Sequence, residues 1–148
     1  MWLKNVEIGK GTTVGPNATI FPDVQIGDNC VIQAGAVIGS EGFEYKRTTK
    51  GILSVRHDGM VIIHDSVVIG SNSCLDKGFS FRNTIIGSNT KIDNLVHISH
   101  GVQTGKNNFI IACSMIAGSV SLQDDIWIGP NASVAPQLDI SNGAFISL

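Results

Sequence analysis

The fold of this chain is decided by residues 6–38, VEIGKGTTVGPNATIFPDVQIGDNCVIQAGAVI. Every sixth residue of this stretch is aliphatic: Ile8, Val14, Ile20, Ile26, Ile32 and Ile38. A period of six fits neither a helix of 3.6 residues per turn nor an uninterrupted strand of period two. It predicts short strands that turn a corner every six residues, so that three strands make one triangular coil of about 18 residues.

The same spacing continues through most of the chain. After residues 40–60, and with a slip of one residue near 81–83, the aliphatic positions are Ile63, Ile69, Leu75, Ile86, Ile92, Ile98, Ile110, Ile116, Leu122, Ile128, Val134, Ile140 and Ile146. Thr104 is the one polar exception in this register. We therefore predict an all-β fold, a parallel β-helix of about seven coils, which is about 34 Å tall at about 4.8 Å per coil.

Residues 1–148 form a single domain in this interpretation. Trp2 and Leu3 are expected to cover the first coil. Residues 40–60, SEGFEYKRTTKGILSVRHDGM, break the repeat and form a loop insertion. Long excursions from a regular scaffold commonly carry function. We expect the insertion to contact substrate, with Phe43 and Tyr45 packing on a ligand.

Composition excludes several classes of function. The net charge is −2, and 15% of the residues are charged, without a basic run or a basic–aromatic cluster. This pattern argues against a nucleic-acid partner. No apolar stretch is long enough to span a membrane as a helix, and the first residues lack the apolar core of a signal peptide. Three cysteines without motif spacing suit a reducing compartment, so we expect a cytoplasmic protein.

The segment 91–118, KIDNLVHISHGVQTGKNNFIIACSMIAG, is the best candidate for chemistry. His100 stands two residues after an inward Ile98, which places it at a corner of the prism, and His97 should face outward on the same strand. An imidazole is well suited to accept a proton at neutral pH. Asp93 and Asn94 could orient His100, bind sugar hydroxyls, or simply satisfy backbone groups at a corner.

The repeat resembles one known family, and three particular runs of sequence resemble a narrower family within it. The hexad pattern resembles the hexapeptide-repeat family, whose members are left-handed parallel β-helices. The runs VIGSEGFEY (37–45), HDGMVIIHDSVVIGSNSCLDKG (57–78) and NTIIGSNTKIDNLVHISHGVQTGKN (83–107) resemble the UDP-3-O-acylglucosamine N-acyltransferases of lipid A and lipopolysaccharide biosynthesis. That family carries a KIDNxxxIAHNV segment, and the residues matching it here are Lys91, Ile92, Asp93, Asn94 and His100.

The resemblance implies an acyltransferase that moves an acyl group from a thioester to a sugar amine. His100 would be the general base. The donor would be acyl-CoA or an acylated acyl carrier protein, no metal would be needed, and a homotrimer would form active sites between its subunits. Gly118 lies one coil of 18 residues beyond His100, within an Ala117–Gly118 pair that the family shares, and would supply an oxyanion-binding N–H. Asp76 and Lys77, in the SCLDKG turn, are further candidates for substrate binding.

The departures from the family also matter. The family has TTIDRG where this chain has SCLDKG, and its second histidine is absent from the corresponding VAPQLDI segment (134–140). These 148 residues include neither the family's N-terminal uridine-binding domain nor its C-terminal extension. We therefore expect a short amino-sugar N-acyltransferase that resembles the lipid A enzyme.

Two other classes remain open at this point. A non-catalytic trimeric scaffold would use the prism only as a spacer. A γ-class carbonic anhydrase shares the prism and binds zinc through three histidines. His97 and His100 are three residues apart, instead of the five between the last two ligands of that class, and the spacing of His64 also differs.

Overall fold

Three parallel sheets form the walls of a triangular prism in the computed structural model, which describes residues 5–147. The first wall has seven strands: β1 (Val6–Ile8), β4 (Val24–Ile26), β9 (Val61–Ile63), β12 (Thr84–Ile86), β15 (Gln103–Thr104), β18 (Ser121–Leu122) and β21 (Asp139–Ile140). The second also has seven: β2 (Thr13–Val14), β5 (Val31–Ile32), β10 (Val68–Ile69), β13 (Lys91–Ile92), β16 (Phe109–Ile110), β19 (Trp127–Ile128) and β22 (Phe145–Ile146).

The third wall has six strands in the order β3 (Thr19–Ile20), β6 (Val37–Ser40), β11 (Cys74–Asp76), β14 (His97–Ile98), β17 (Met115–Ile116) and β20 (Ser133–Val134). Each strand pairs in parallel with the strand one coil away, as Ile98 does with Ile116. The predicted fold is confirmed, because the chain is a left-handed parallel β-helix of seven coils.

The interior of the prism is a column of the predicted aliphatic residues. In the middle coils these side chains are buried, and Ile38, Leu75, Ile98 and Ile116 have no exposed surface. Ile8, in the first described coil, is 46% exposed, because only one described coil packs against it. The predicted cover by Trp2 and Leu3 lies outside the described residues. Each buried aliphatic side chain stabilises a solenoid of this kind by about 1.5–3 kcal/mol.

Two irregular segments leave the prism at the same edge, where the third wall meets the first. Residues 41–60 connect β6 to β9 and include an antiparallel hairpin of β7 (Tyr45–Thr48) and β8 (Gly51–Ser54). Residues 77–83 connect β11 to β12 one coil later. Eleven residues separate Leu75 from Ile86, five more than the regular spacing. The break that the sequence shows as a slip of one residue near 81–83 is therefore a small extra loop of the chain.

We call this edge the insertion edge, and it consists of residues 21–23, 41–60, 77–83, 99–102, 117–120 and 135–138 on successive coils. The small loop is closed by a bridge between Phe79 and Arg82. It is tied to the large insertion by hydrogen bonds from the Gly59 amide to the Gly78 carbonyl and from the Gly78 amide to Met60. Among residues 5–147, no helix is long and apolar enough to cross a membrane.

Candidate active site

His100 and Gly118 lie on neighbouring coils of the insertion edge. The pairing of Ile98 with Ile116 fixes this register, because each of the two residues comes two positions after its aliphatic partner. The backbone supports the pair, since the Ser119 amide donates a 3.0 Å hydrogen bond to the His100 carbonyl. The relation between the two residues is therefore set by the parallel ladder.

The imidazole of His100 is held between the two insertions. Its ring packs edge-on against Phe79 of the small loop, with 4.8 Å between centroids, and against His57 of the large insertion at 5.5 Å. A Cβ placed on Gly42 would lie 3.3 Å from the His100 ring, so glycine lets the insertion backbone pass close beside it. The side chain of His100 is only 15% exposed.

The electrostatics of this corner favour the neutral form of His100. Burial lowers the pKa of His100, and the charge of His57 lowers it further. Glu44, whose carboxylate lies 3.9 Å from Nε2, and Asp76 act in the opposite direction, while His97 adds to the lowering. A lowered pKa means that His100 is unprotonated at neutral pH and able to accept a proton.

A side chain at position 118 would collide with the His100 ring, and this explains the glycine there. Its φ does not fall in the left-handed region, unlike that of Gly101. A Cβ at position 118 would lie 2.4 Å from Cε1 and 2.7 Å from Nε2 of His100. The backbone of Gly118 therefore lies directly against the edge of the imidazole that carries Nε2.

The amide of Gly118 differs from those of several residues at equivalent positions on other edges. At Lys10, Asp28 and Lys106, which also come two residues after an inward residue, the amide donates to an aspartate carboxylate at 2.7–2.8 Å. The Gly118 amide makes no hydrogen bond to any of residues 5–147, although its carbonyl accepts one from Gln137. An N–H that elsewhere binds an anionic oxygen is therefore free beside the His100 ring.

His57 is a buried polar residue with an unusual environment. It is 1% exposed, and neither ring nitrogen has a hydrogen-bond partner within residues 5–147. Glu41 accepts from the His57 backbone amide at 3.2 Å and lies equally close to Nδ1, but its angle to the ring makes no hydrogen bond. Glu41 also forms a 3.2 Å ion pair with Lys77. Lys77 thus anchors the large insertion to the small loop.

Asp76 and His97 lie side by side next to this corner. His97 Nε2 is 3.4 Å from Asp76 Oδ2, and the His97 side chain is 43% exposed while that of Asp76 is 6% exposed. Burial raises the pKa of Asp76, and the neighbouring His97 partly offsets that rise. The same carboxylate accepts a 3.0 Å hydrogen bond from Ser40.

The remaining predicted site residues lie elsewhere. Asp93 and Asn94 follow β13 at the edge between the second and third walls, where their oxygens accept hydrogen bonds from the amides of Ala112 and Ser71. They satisfy backbone groups there and make no hydrogen bond to His100. Phe43 and Tyr45 lie in the large insertion, 84% and 50% exposed, with their rings in an edge-on contact.

The sequence analysis missed three residues around His100: His57, Phe79 and Glu44. The signal that pointed to them was the pair of breaks in the hexad pattern one coil apart, at 40–60 and near 81–83. Both breaks fall between the third and the first wall, so they had to meet on one edge. The three-histidine arrangement of a carbonic anhydrase is not formed within residues 5–147, where the one convergent group of potential ligands is Cys74, Asp76 and His97.

The sequence comparisons agree with this geometry. The family described as "Bacterial transferase hexapeptide (six repeats)" matches residues 4–40. UDP-3-O-acylglucosamine N-acyltransferase from Caulobacter sp. (strain K31) is 44% identical over 121 residues, which are 82% of this chain and 35% of that protein. The protein of the same name from Wolinella succinogenes is 36% identical over 133 residues, 89% of this chain and 42% of that protein.

Solved structures share the fold. UDP-N-acetylglucosamine acyltransferase from Campylobacter jejuni superposes with a TM-score of 0.85 at 22% identity, over 97% of this chain and 54% of that one. The corresponding Arabidopsis structure gives a TM-score of 0.72 at 19% identity, over 97% of this chain and 62% of that one.

The fold and the repeat define the chain as a left-handed β-helix of bacterial-transferase hexapeptide repeats. More particularly, its sequence is similar over most of its length to the UDP-3-O-acylglucosamine N-acyltransferases, which confirms the resemblance seen in the motifs. The chain spans 35% and 42% of the length of the two curated relatives described here.

Proposed function

We propose that this chain carries the catalytic corner of an N-acyltransferase. The reaction moves an acyl group from a thioester, either acyl-CoA or an acylated acyl carrier protein, to the amine of a nucleotide-linked amino sugar in lipid A biosynthesis. The observation that carries the proposal is the half-buried imidazole of His100 lying against Gly118, whose amide makes no hydrogen bond within residues 5–147. The names of the relatives supply the substrate class.

The geometry supports a two-step transfer. The sugar amine attacks the thioester carbonyl, the new C–N bond forms, and His100 takes the proton that the nitrogen loses. The carbonyl oxygen becomes an oxyanion, and the N–H of Gly118 stabilises it where aspartate oxygens are bound at other edges. The intermediate then collapses, the C–S bond breaks, and protonated His100 returns its proton to the leaving thiolate.

Residues beside this corner supply binding contacts in the same proposal. Asp76 and His97 offer a carboxylate and an imidazole to the acceptor sugar, from neighbouring strands of the third wall beside the insertion edge. A groove of about 390 Å³ on the large insertion is lined by Phe43, Tyr45, Arg47 and Ile52. Its apolar walls suit an acyl or pantetheine chain, and the charge of Arg47 suits a phosphate.

A homotrimer completes the site in this proposal. The prism is narrow, and the outer side of the insertion edge faces solvent on a single chain, with Phe81 and Leu138 exposed there. A second prism packed beside this edge would form the missing wall of a pocket, and three-fold symmetry would close the ring.

The direct test is an acyl-transfer assay. The full chain is incubated with UDP-3-O-acylglucosamine and an acylated carrier protein or acyl-CoA, and the N-acylated product and free thiol are quantified by mass spectrometry. We expect His100→Ala to lower kcat by about 10²–10⁴-fold, the usual effect of losing a general base. His64→Ala, on another edge, is the matched control and should retain activity. Turnover that His100→Ala leaves unchanged would contradict the assignment, and absence of thioester binding would favour a scaffold.

A further inference from the structure

Three potential metal ligands from two neighbouring coils converge on the outer face of the third wall. Cys74 and Asp76 belong to β11, and His97 begins β14 directly beside Cys74 in the parallel register. The ligand atoms of the three side chains all lie within 4.8 Å of one another. Cys74 is a free thiol, and it is half-buried.

The separations are close to those of a metal site. His97 Nε2 is 3.4 Å from Asp76 Oδ2, and Cys74 Sγ is 3.8 Å from Asp76 Oδ1. Zinc binds thiolate at about 2.3 Å and imidazole at about 2.0–2.1 Å, so neighbouring ligand atoms of a tetrahedral site lie about 3.3–3.5 Å apart. The separation of His97 from Asp76 lies within this range, and that of Cys74 from Asp76 is about 0.3 Å longer.

The surroundings supply the support that such a site needs. The ladder shifts register at Leu75 and Asp76, so that Ser40, not Gly39, pairs with Asp76. Ser40 Oγ donates a 3.0 Å hydrogen bond to Asp76 Oδ1 and leaves Oδ2 facing His97. Metal-binding carboxylates are commonly oriented by a hydrogen bond of this kind.

The balance of charge also favours a cation. Within residues 5–147, the carboxylate of Asp76 is paired with His97 and forms no ion pair with a lysine or arginine. The nearest lysine in sequence, Lys77, is paired with Glu41 instead. A divalent ion would offset both negative charges, and the exposed side of His97 leaves room for water as a fourth ligand.

We propose that Cys74, Asp76 and His97 bind a divalent transition-metal ion of the zinc class. A thiolate and an imidazole favour zinc or cobalt over magnesium and calcium, which prefer oxygen ligands. On binding, the thiol proton of Cys74 passes to solvent as the metal–sulfur bond forms. The resemblance to the acyltransferases implied no metal, and the spacing of the histidines gave no sign of this group, because Cys74 and His97 are 23 residues apart.

Cobalt titration of the metal-free full chain tests this site. We expect one Co²⁺ per chain, with a thiolate-to-metal charge-transfer band that Zn²⁺ abolishes by displacement. Cys74→Ser should remove that band, and His97→Gln should weaken binding by on the order of 100-fold or more, because loss of even an outer-shell partner costs 10–100-fold. Cys113→Ser is the matched control, since Cys113 is an exposed cysteine on another edge.

The controls separate loss of metal from loss of fold. Circular dichroism and thermal unfolding of each metal-free variant show whether the β-helix is intact. A cobalt complex without a charge-transfer band, or equal affinity in wild type and Cys74→Ser, would overturn the proposal. So would loss of the band in Cys113→Ser. None of these measurements uses acyl transfer, so their failure would leave the proposed roles of His100 and Gly118 unchanged. A bound metal ion would take the place of the direct contacts of Asp76 and His97 with the acceptor sugar.

Discussion

Replacing Gly118 by alanine is the sharpest test of the catalytic corner, because it adds one methyl group and keeps the backbone N–H. The new Cβ would lie 2.4 Å from His100 Cε1, whereas ordinary contacts begin near 3.4 Å. The imidazole must therefore move by about 1 Å, and a misplacement of this size can cost about 10²-fold in rate. It cannot retreat freely, since Phe79 and His57 pack against it.

We expect Gly118→Ala to lower kcat by about 10²-fold and to destabilise the protein by about 1–3 kcal/mol, the usual cost of overpacking. The assay is thiol release under saturating thioester, with chemical unfolding measured in parallel. Gly129→Ala is the control, because it adds the same methyl group at a different edge, 3.0 Å from the Ile146 carbonyl.

A double-mutant cycle with His100→Ala tests whether the effects of Gly118→Ala come from its clash with the imidazole. Without the imidazole there is no clash, so Gly118→Ala should cost little stability and no further activity in that background. If Gly118→Ala turns over at the normal rate, the ring does not need its observed position. If Gly118→Ala destabilises the protein equally with and without His100, glycine is required at position 118 by some contact other than the one with the imidazole.

Three further outcomes follow from the same contacts. The acid limb of the kcat/KM pH profile should lie below the ordinary histidine pKa, because the pKa of His100 is lowered. His57→Leu should move that limb to higher pH, because the charge of His57 contributes to the lowering. Ile98→Ala should destabilise the fold by about 2–5 kcal/mol in urea unfolding, since Ile98 has no exposed surface. Sedimentation at micromolar concentration should show a trimer, and a uniform monomer would contradict the shared-wall arrangement.

The sequence was sufficient to predict the prism, because each hexad carries the same information. An aliphatic residue every six positions specifies the inward face, and the parallel ladder adds 18 residues per coil. The same arithmetic placed Gly118 one coil from His100, as the pairing of Ile98 with Ile116 shows. Where the hexad pattern is unbroken, residues 18 positions apart lie next to each other on successive coils.

The neighbours of His100 could not be found by counting, because they come from segments outside the repeat. His57 and Phe79 reach the ring through loops whose paths depend on their own packing. Asp93 shows the opposite error. It lies only seven residues before His100 and belongs to the same family motif, yet six residues in this fold move the chain to another edge, where Asp93 accepts from the Ala112 amide.

The insertion edge also explains why a free amide is available at Gly118. At several corners of the other edges, a carboxylate or amide oxygen of a neighbouring coil accepts the corner N–H, as Asp28 does from Lys10. On the insertion edge, the equivalent positions of the outer coils are Pro22 and Pro136, which have no N–H to satisfy. The residue one coil beyond Gly118 is thus Pro136, whose side chain offers no oxygen. The Gly118 amide therefore lies beside His100 without a hydrogen-bond partner in residues 5–147, and an oxyanion formed in the reaction is the group that fits it.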